Sequence, residues 1–140
     1  MRWHYDDPTK LSHRMLLKWY HRNGLNVMGA TAAATGETPF MPRNDSRAQY
    51  IKDFCELVSK NELDGIISTA WDDGSPHWET VMRGFIAQGE FGWNPESRTV
   101  EQFITAHARL EWGVESMLVT FISDVAHAAF FFDGALVTSG

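Results

Sequence analysis

Gly65-Ile66-Ile67-Ser68-Thr69-Ala70-Trp71, running into Asp72-Asp73-Gly74-Ser75-Pro76, is the stretch whose reading decides the fold. Seven residues, small, β-branched or aromatic and free of Pro, Asn and Asp, sit between Asn61-Glu62-Leu63-Asp64 and a loop of breakers. Such a short run, set between turn signals and followed by a helix start, predicts a strand. The polar loop then opens a helix predicted over 77–92.

The same strand–loop–helix unit recurs upstream. Residues 25–33, Leu-Asn-Val-Met-Gly-Ala-Thr-Ala-Ala, are small or apolar and predict a buried strand. A breaker-rich loop of about twelve residues follows, longer than a usual connection and therefore a place to look for function. Asp45 or Ser46 then caps a helix carrying Tyr50, Ile51, Phe54, Leu57 and Val58. Further upstream, residues 1–6 alternate aromatics as a strand does. Asp7-Pro8-Thr9 is a turn that can cap a helix of about three turns, with Leu11, Met15, Leu16, Trp19 and Tyr20 at helical spacing and Asn23-Gly24 as its stop. Three strand–helix units in series predict parallel strands and an α/β fold. After Trp93-Asn94-Pro95 the character changes: Ser97-Arg98-Thr99 starts a helix to about Glu111, and 114–132 reads as one or two more.

Composition narrows the function classes. With Lys+Arg 12 against Asp+Glu 18, the net charge is -6, which disfavours binding to nucleic-acid backbones. No run of four basic residues points to an anionic membrane surface, no stretch reaches the roughly 18 apolar residues of a membrane span, and the first residues lack the apolar core of a signal peptide. The single cysteine, Cys55, allows no intrachain disulfide and reads as a small core hydrophobe. The six tryptophans, Trp3, Trp19, Trp71, Trp78, Trp93 and Trp112, are many for 140 residues. Indole rings fill cores, and they also stack on the C–H face of a sugar ring, so position must decide.

In parallel α/β folds, ligands bind beyond the carboxyl ends of the strands. The polar and aromatic residues gather there: Trp3, Tyr5, Asp6 and Asp7 after the first strand, and Trp71, Asp72 and Asp73 after the third, with His77 and Glu79 close behind. An aromatic wall beside carboxylates suits a sugar, whose hydroxyl pairs donate to the carboxylate. Trp71 reads as ligand-facing against a core alternative, Asp73 as a ligand contact, and Asp72 as a turn former. His77 reads as a residue that caps or packs at the helix start, and Glu79 as a first-turn carboxylate favoured by the helix dipole. Asp72, Asp73, His77 and Glu79 match no strong metal-ligand spacing, so no metal is expected. Within the 77–92 helix, Met82, Phe85, Ile86 and Gly89 read as core, and Glu90 as one half of an ion pair with Arg83 or another basic group.

Residues 65–73, together with Glu79, Gly84, Glu90 and Trp93, resemble the end of the catalytic barrel of glycoside hydrolase family 20, the β-N-acetylhexosaminidases. In that family a strand ends in Trp with an acidic residue two positions on, and the next helix closes on a small–Glu–x–x–Trp pattern, here Gly89-Glu90-Phe91-Gly92-Trp93. The resemblance covers about residues 1–95. It implies that this is a partial (β/α)8 TIM barrel, the last three strand–helix units (1–95), followed by C-terminal helices (96–140) packed on it. A whole barrel needs roughly 250 residues.

By the same resemblance Trp71 lines the pocket for a terminal N-acetylhexosamine, Asp73 binds sugar hydroxyls away from the reacting carbon, and Trp3 is a second wall. The family's catalytic Asp–Glu pair belongs to an earlier strand, so no catalytic residue and no cofactor is expected here, and the chain alone is expected to be inactive. The parent reaction is the substrate-assisted retaining route, in which the acetamido group attacks. The family often carries a Tyr where this sequence has Thr31-Ala32-Ala33. Family members are frequently exported, though this stretch carries no address. The rival expectation is a non-catalytic carbohydrate-binding or self-associating half-barrel, forming a homo-oligomer through an exposed sheet edge.

Overall fold

The computed structural model describes residues 2–3, 7–35, 47–71 and 78–113. Along the chain run β1 (Arg2–Trp3), α1 (Leu11–Arg22), β2 (Met28–Thr35), α2 (Arg47–Lys60), β3 (Gly65–Trp71), α3 (Trp78–Trp93) and α4 (Val100–Trp112). The strands form one parallel sheet in the order β1-β2-β3, β1 contributing two residues. The chain is therefore a mixed α/β fold with a parallel sheet. The third strand matches its sequence prediction residue for residue. The second starts three residues later than predicted and runs on to Thr35. Its start is set from outside the strand: Asp64, just before β3, accepts a hydrogen bond from the Val27 N–H and donates its own N–H to the Val27 carbonyl.

The helices gather on one face of the sheet. Ile66 of β3 packs against both hydrophobic clusters, one formed by Leu17, Val27, Phe54 and Leu57, the other by Ala48, Ile51, Cys55, Ala87, Phe91 and Phe103. α2 is thus the central helix, with α1 on one flank and α3 and α4 on the other. Gly29, the register partner of Ile66, lies directly under α2, where an added Cβ would fall 2.8 Å from the Phe54 ring. Cys55 is buried in this core, as its place in an apolar run predicts, and burial pushes its thiol up to about 12.

α3 approaches the sheet more closely still. A Cβ on Gly84 would sit 1.8 Å from the Ala33 carbonyl oxygen, so backbone touches backbone at that point. This contact corrects the predicted core face of the helix. Gly84, Ala87 and Phe91 are buried, whereas Met82, Ile86 and Gly89 are exposed and Phe85 is intermediate. An approach this tight selects the face with the smallest residue rather than the most apolar one.

One further local expectation changes, and another gains its partner. Asp7 does not cap α1: its carboxylate takes the Thr9 N–H at 2.8 Å and the Thr9 hydroxyl at 2.5 Å, and the N-cap residue is Lys10, with no side-chain cap bond. Glu90 forms the expected ion pair, its basic partner being Arg98 at 2.8 Å rather than Arg83, and it accepts the Ser97 hydroxyl at 2.9 Å. Arg83 lies two helical turns from Glu90, about 10 Å along the axis, while the turn after Trp93 brings Arg98 back alongside. α4 begins at Thr99 as its sequence indicates, with a full capping box between Thr99 and Gln102. The predicted caps Asp45 and Ser46, residues 4–6, and the helices predicted within 114–132 lie outside the described residues.

Candidate functional site at the strand ends

Trp71 is the last residue of β3, at the sheet end where the strands finish and the helices begin. Alternation from the helix-facing Ile66 places Ile67, Thr69 and Trp71 on the opposite face. The indole is 48% exposed, so it is not sealed in the core. It pairs in register with Thr35, the last residue of β2. A bulge between Ala32 and Ala34 lets β2 reach that level. The Thr69 hydroxyl ties the two strands together just below, donating to the Thr31 carbonyl at 3.2 Å.

The other sequence-predicted site residues are not brought together with Trp71 in the described residues. Asp73 lies outside them, as do Asp72, His77 and the side chain of Glu79. Trp3 pairs with Ala30, itself the partner of Ile67. Its backbone therefore stands four residues below Trp71 along the strand direction, about 13 Å.

The structure adds polar groups that the sequence did not single out. Arg47, the first residue of α2, and Arg83, in the N-terminal half of α3, are both buried at this same end of the fold. Arg83 is 7% exposed, and its Nε and Nη1 have no hydrogen-bond partner. Burial lowers its pKa, yet a guanidinium keeps its proton in proteins, so a buried donor pair facing no acceptor is costly. His107 of α4 is buried beside it and stacks on Phe103 with ring centroids 6.0 Å apart. Burial pulls the His107 pKa down, the Arg83 charge pulls it further, and Glu111 opposes both. Chemically this corner offers N–H donors to an oxygen acceptor. The one sequence signal for it is the i, i+4, i+8 spacing of Arg83, Ala87 and Phe91, which puts the arginine on the buried stripe.

Among the described residues no cluster of three or more His, Cys, Asp or Glu side chains could hold a metal ion, and no helix is long and apolar enough to cross a membrane. Comparison with family models, characterised proteins and solved structures finds no match. The functional reading therefore rests on the residues themselves.

Proposed function

We propose that the chain is the closing portion of a glycosidase barrel of the β-N-acetylhexosaminidase type, supplying sugar-binding groups rather than the proton-transfer pair. The observation that carries this reading is the half-exposed indole of Trp71 at the carboxyl end of a parallel strand, two residues before Asp73. An indole face and a nearby carboxylate match the two surfaces of a pyranose, its C–H face and its hydroxyl edge. The architecture is compatible: consecutive parallel strands with helices gathered on one face are what a segment of a (β/α)8 barrel requires. In this reading Trp71 stacks on the sugar and Asp73 accepts bonds from its hydroxyls. General acid and acetamido-orienting groups come from outside these 140 residues.

Calorimetric titration of the chain with N-acetylglucosamine tests the proposal. The expected outcome is weak, saturable binding that Trp71→Ala abolishes and Asp73→Asn weakens at least fivefold, with negligible release from a chromogenic N-acetylglucosaminide. Binding unchanged in Trp71→Ala overturns the sugar-stacking role. Turnover by the chain alone overturns the assignment of the proton-transfer pair to other residues, since general acid–base help is worth about 10²–10⁴-fold.

A further inference from the structure

Among the described residues, α1 carries two rows of side chains that stand mostly in solvent. Leu11, Met15 and Trp19 recur every four residues and are 69%, 62% and 55% exposed. Lys10, Arg14, Lys18 and Arg22 recur at the same spacing and are all exposed. On a helix each apolar residue then has a cation three positions later as its neighbour: Leu11 beside Arg14, Met15 beside Lys18, Trp19 beside Arg22. α1 contains no acidic residue, and none of these four cations pairs with a carboxylate among the described residues. This is a cationic helix in a chain whose net charge is -6.

The two rows have different neighbours. The cationic row borders α2: Arg14 lines a hollow of about 210 Å³ with Asp53, Glu56 and Lys60, and Lys18 and Arg22 line one of about 240 Å³ with Lys60 and Glu62. The apolar row lies on the far side of it, pointing away from α2 and opposite Leu17, the one fully buried residue of α1. The result is a straight, one-sided platform about 12 Å long, apolar on one margin and positive on the other.

We infer that α1 is a docking surface for an acidic amphipathic helix, one that lays an apolar i, i+4, i+8 row on Leu11, Met15 and Trp19 and sets carboxylates against Arg14, Lys18 and Arg22. Helix-in-groove recognition reads this pattern of anchors, and complementary charge fixes its orientation and suppresses wrong partners. A second copy docked antiparallel, α1 on α1, brings the two cationic rows together, which is repulsive, and a parallel one sets each cationic row against Ser12, Leu16 and Tyr20, which offer no carboxylate. A flat anionic bilayer wants cations on both margins of the apolar row, whereas Ser12, Leu16 and Tyr20 occupy the other margin, and the acidic remainder of the protein is repelled from such a surface.

The test uses the full chain and a labelled synthetic peptide of about sixteen residues, helix-forming, with Leu every four residues and Glu three positions after each. Fluorescence anisotropy is expected to show saturable binding that weakens with added salt. It is expected to weaken at least tenfold in Met15→Ser and in the double variant Arg14→Glu/Lys18→Glu. The same peptide with Lys in place of Glu is expected to bind at least tenfold more weakly to the natural chain and to recover affinity for the double variant. All substituted positions are exposed, and circular dichroism verifies the fold of each variant. The inference is overturned by no binding of the Glu peptide, by equal binding of the Glu and Lys peptides, or by variants that bind like the natural chain. Binding to phosphatidylserine vesicles that Met15→Ser removes, or a dimer in sedimentation that the same change dissolves, overturns it in favour of a bilayer or a second copy.

Discussion

α1 and α2 are amphipathic helices of similar length, twelve and fourteen residues, yet they relate to the fold in opposite ways. α2 buries Arg47, Ala48, Ile51, Phe54, Cys55, Leu57 and Val58, and α1 buries only Leu17. Their apolar periodicity is equally plain in the sequence. The difference lies in what surrounds them: α2 has the sheet beneath it, α1 on one side and α3 and α4 on the other, and among the described residues α1 has neighbours on one flank only. Periodicity therefore reports that a helix forms. How many of its faces are covered depends on what the rest of the chain brings alongside.

The largest effect is expected where the crowding is most severe. Gly84→Ala puts a methyl into the Ala33 carbonyl, so α3 must lift off β2 and take Ala87 and Phe91 away from α2. Overpacking against backbone, with no side chain able to yield, is expected to cost at least about 3 kcal/mol, a large share of a typical stability of about 5–15 kcal/mol. Urea denaturation measures it. A loss under about 1 kcal/mol would mean that α3 does not rest on β2 as described.

Next comes a direct comparison of the two helices. Phe54→Ala empties a site shared by α2, α1 and Gly29 of β2, and is expected to cost about 3–5 kcal/mol. Leu17→Ala removes the single anchor of α1 and is expected to cost about 2–4 kcal/mol, less because a helix with one covered flank relaxes into the space more readily. If the two costs were equal, the asymmetry between α1 and α2 would be one of surface area and not of stability.

A smaller effect is expected from His107, which α4 holds against the α2–α3 side of the core. Burial first, and the nearby Arg83 charge second, depress its pKa below 6.5. The unfolded chain therefore holds a proton at pH values where the folded chain has released it. Stability is unaffected by this group well above pH 6.5, and declines as the pH falls through 6.5 toward the depressed folded value. His107→Gln is expected to flatten the decline that sets in as the pH falls below 6.5, above the range where the carboxylates titrate. Thermal midpoints measured across that decline for both proteins isolate the contribution. Parallel curves would show that the imidazole stays solvated.

Much of the framework was legible because it is local. The run 65–71 has the length and composition of a strand, and Ser97-Arg98-Thr99 marks the start of α4. What was hidden depends on contacts between distant residues. The start of β2 is set by Asp64, thirty-seven residues after Val27. The buried face of α3 is chosen by Gly84 meeting Ala33, a criterion of size that an apolar pattern cannot express, and it brings Arg83 inside while leaving Met82 and Ile86 out. Of the candidate site, the end of β3 was readable from Trp71 and the loop signal after it. The buried pair Arg83 and His107 was not, since nothing along the sequence brings α3 and α4 side by side.

The smallest stability effect belongs to the exposed face of α1. Met15 is the middle residue of the exposed row, and Ser in its place removes apolar surface that is mostly in water already. The transfer term is then close to nil, and the remaining cost is the slightly poorer helix propensity of Ser, about 0.5 kcal/mol or less. Denaturation midpoints of the natural chain and Met15→Ser are expected to differ by no more than that, even though the same change weakens helix docking at least tenfold. The pairing of outcomes matters more than either alone. A residue that stabilises its own fold loses stability when truncated, whereas one kept for a partner loses only the partner. A cost near 2 kcal/mol would place Met15 in contact with the rest of the chain, and α1 would then resemble α2 after all.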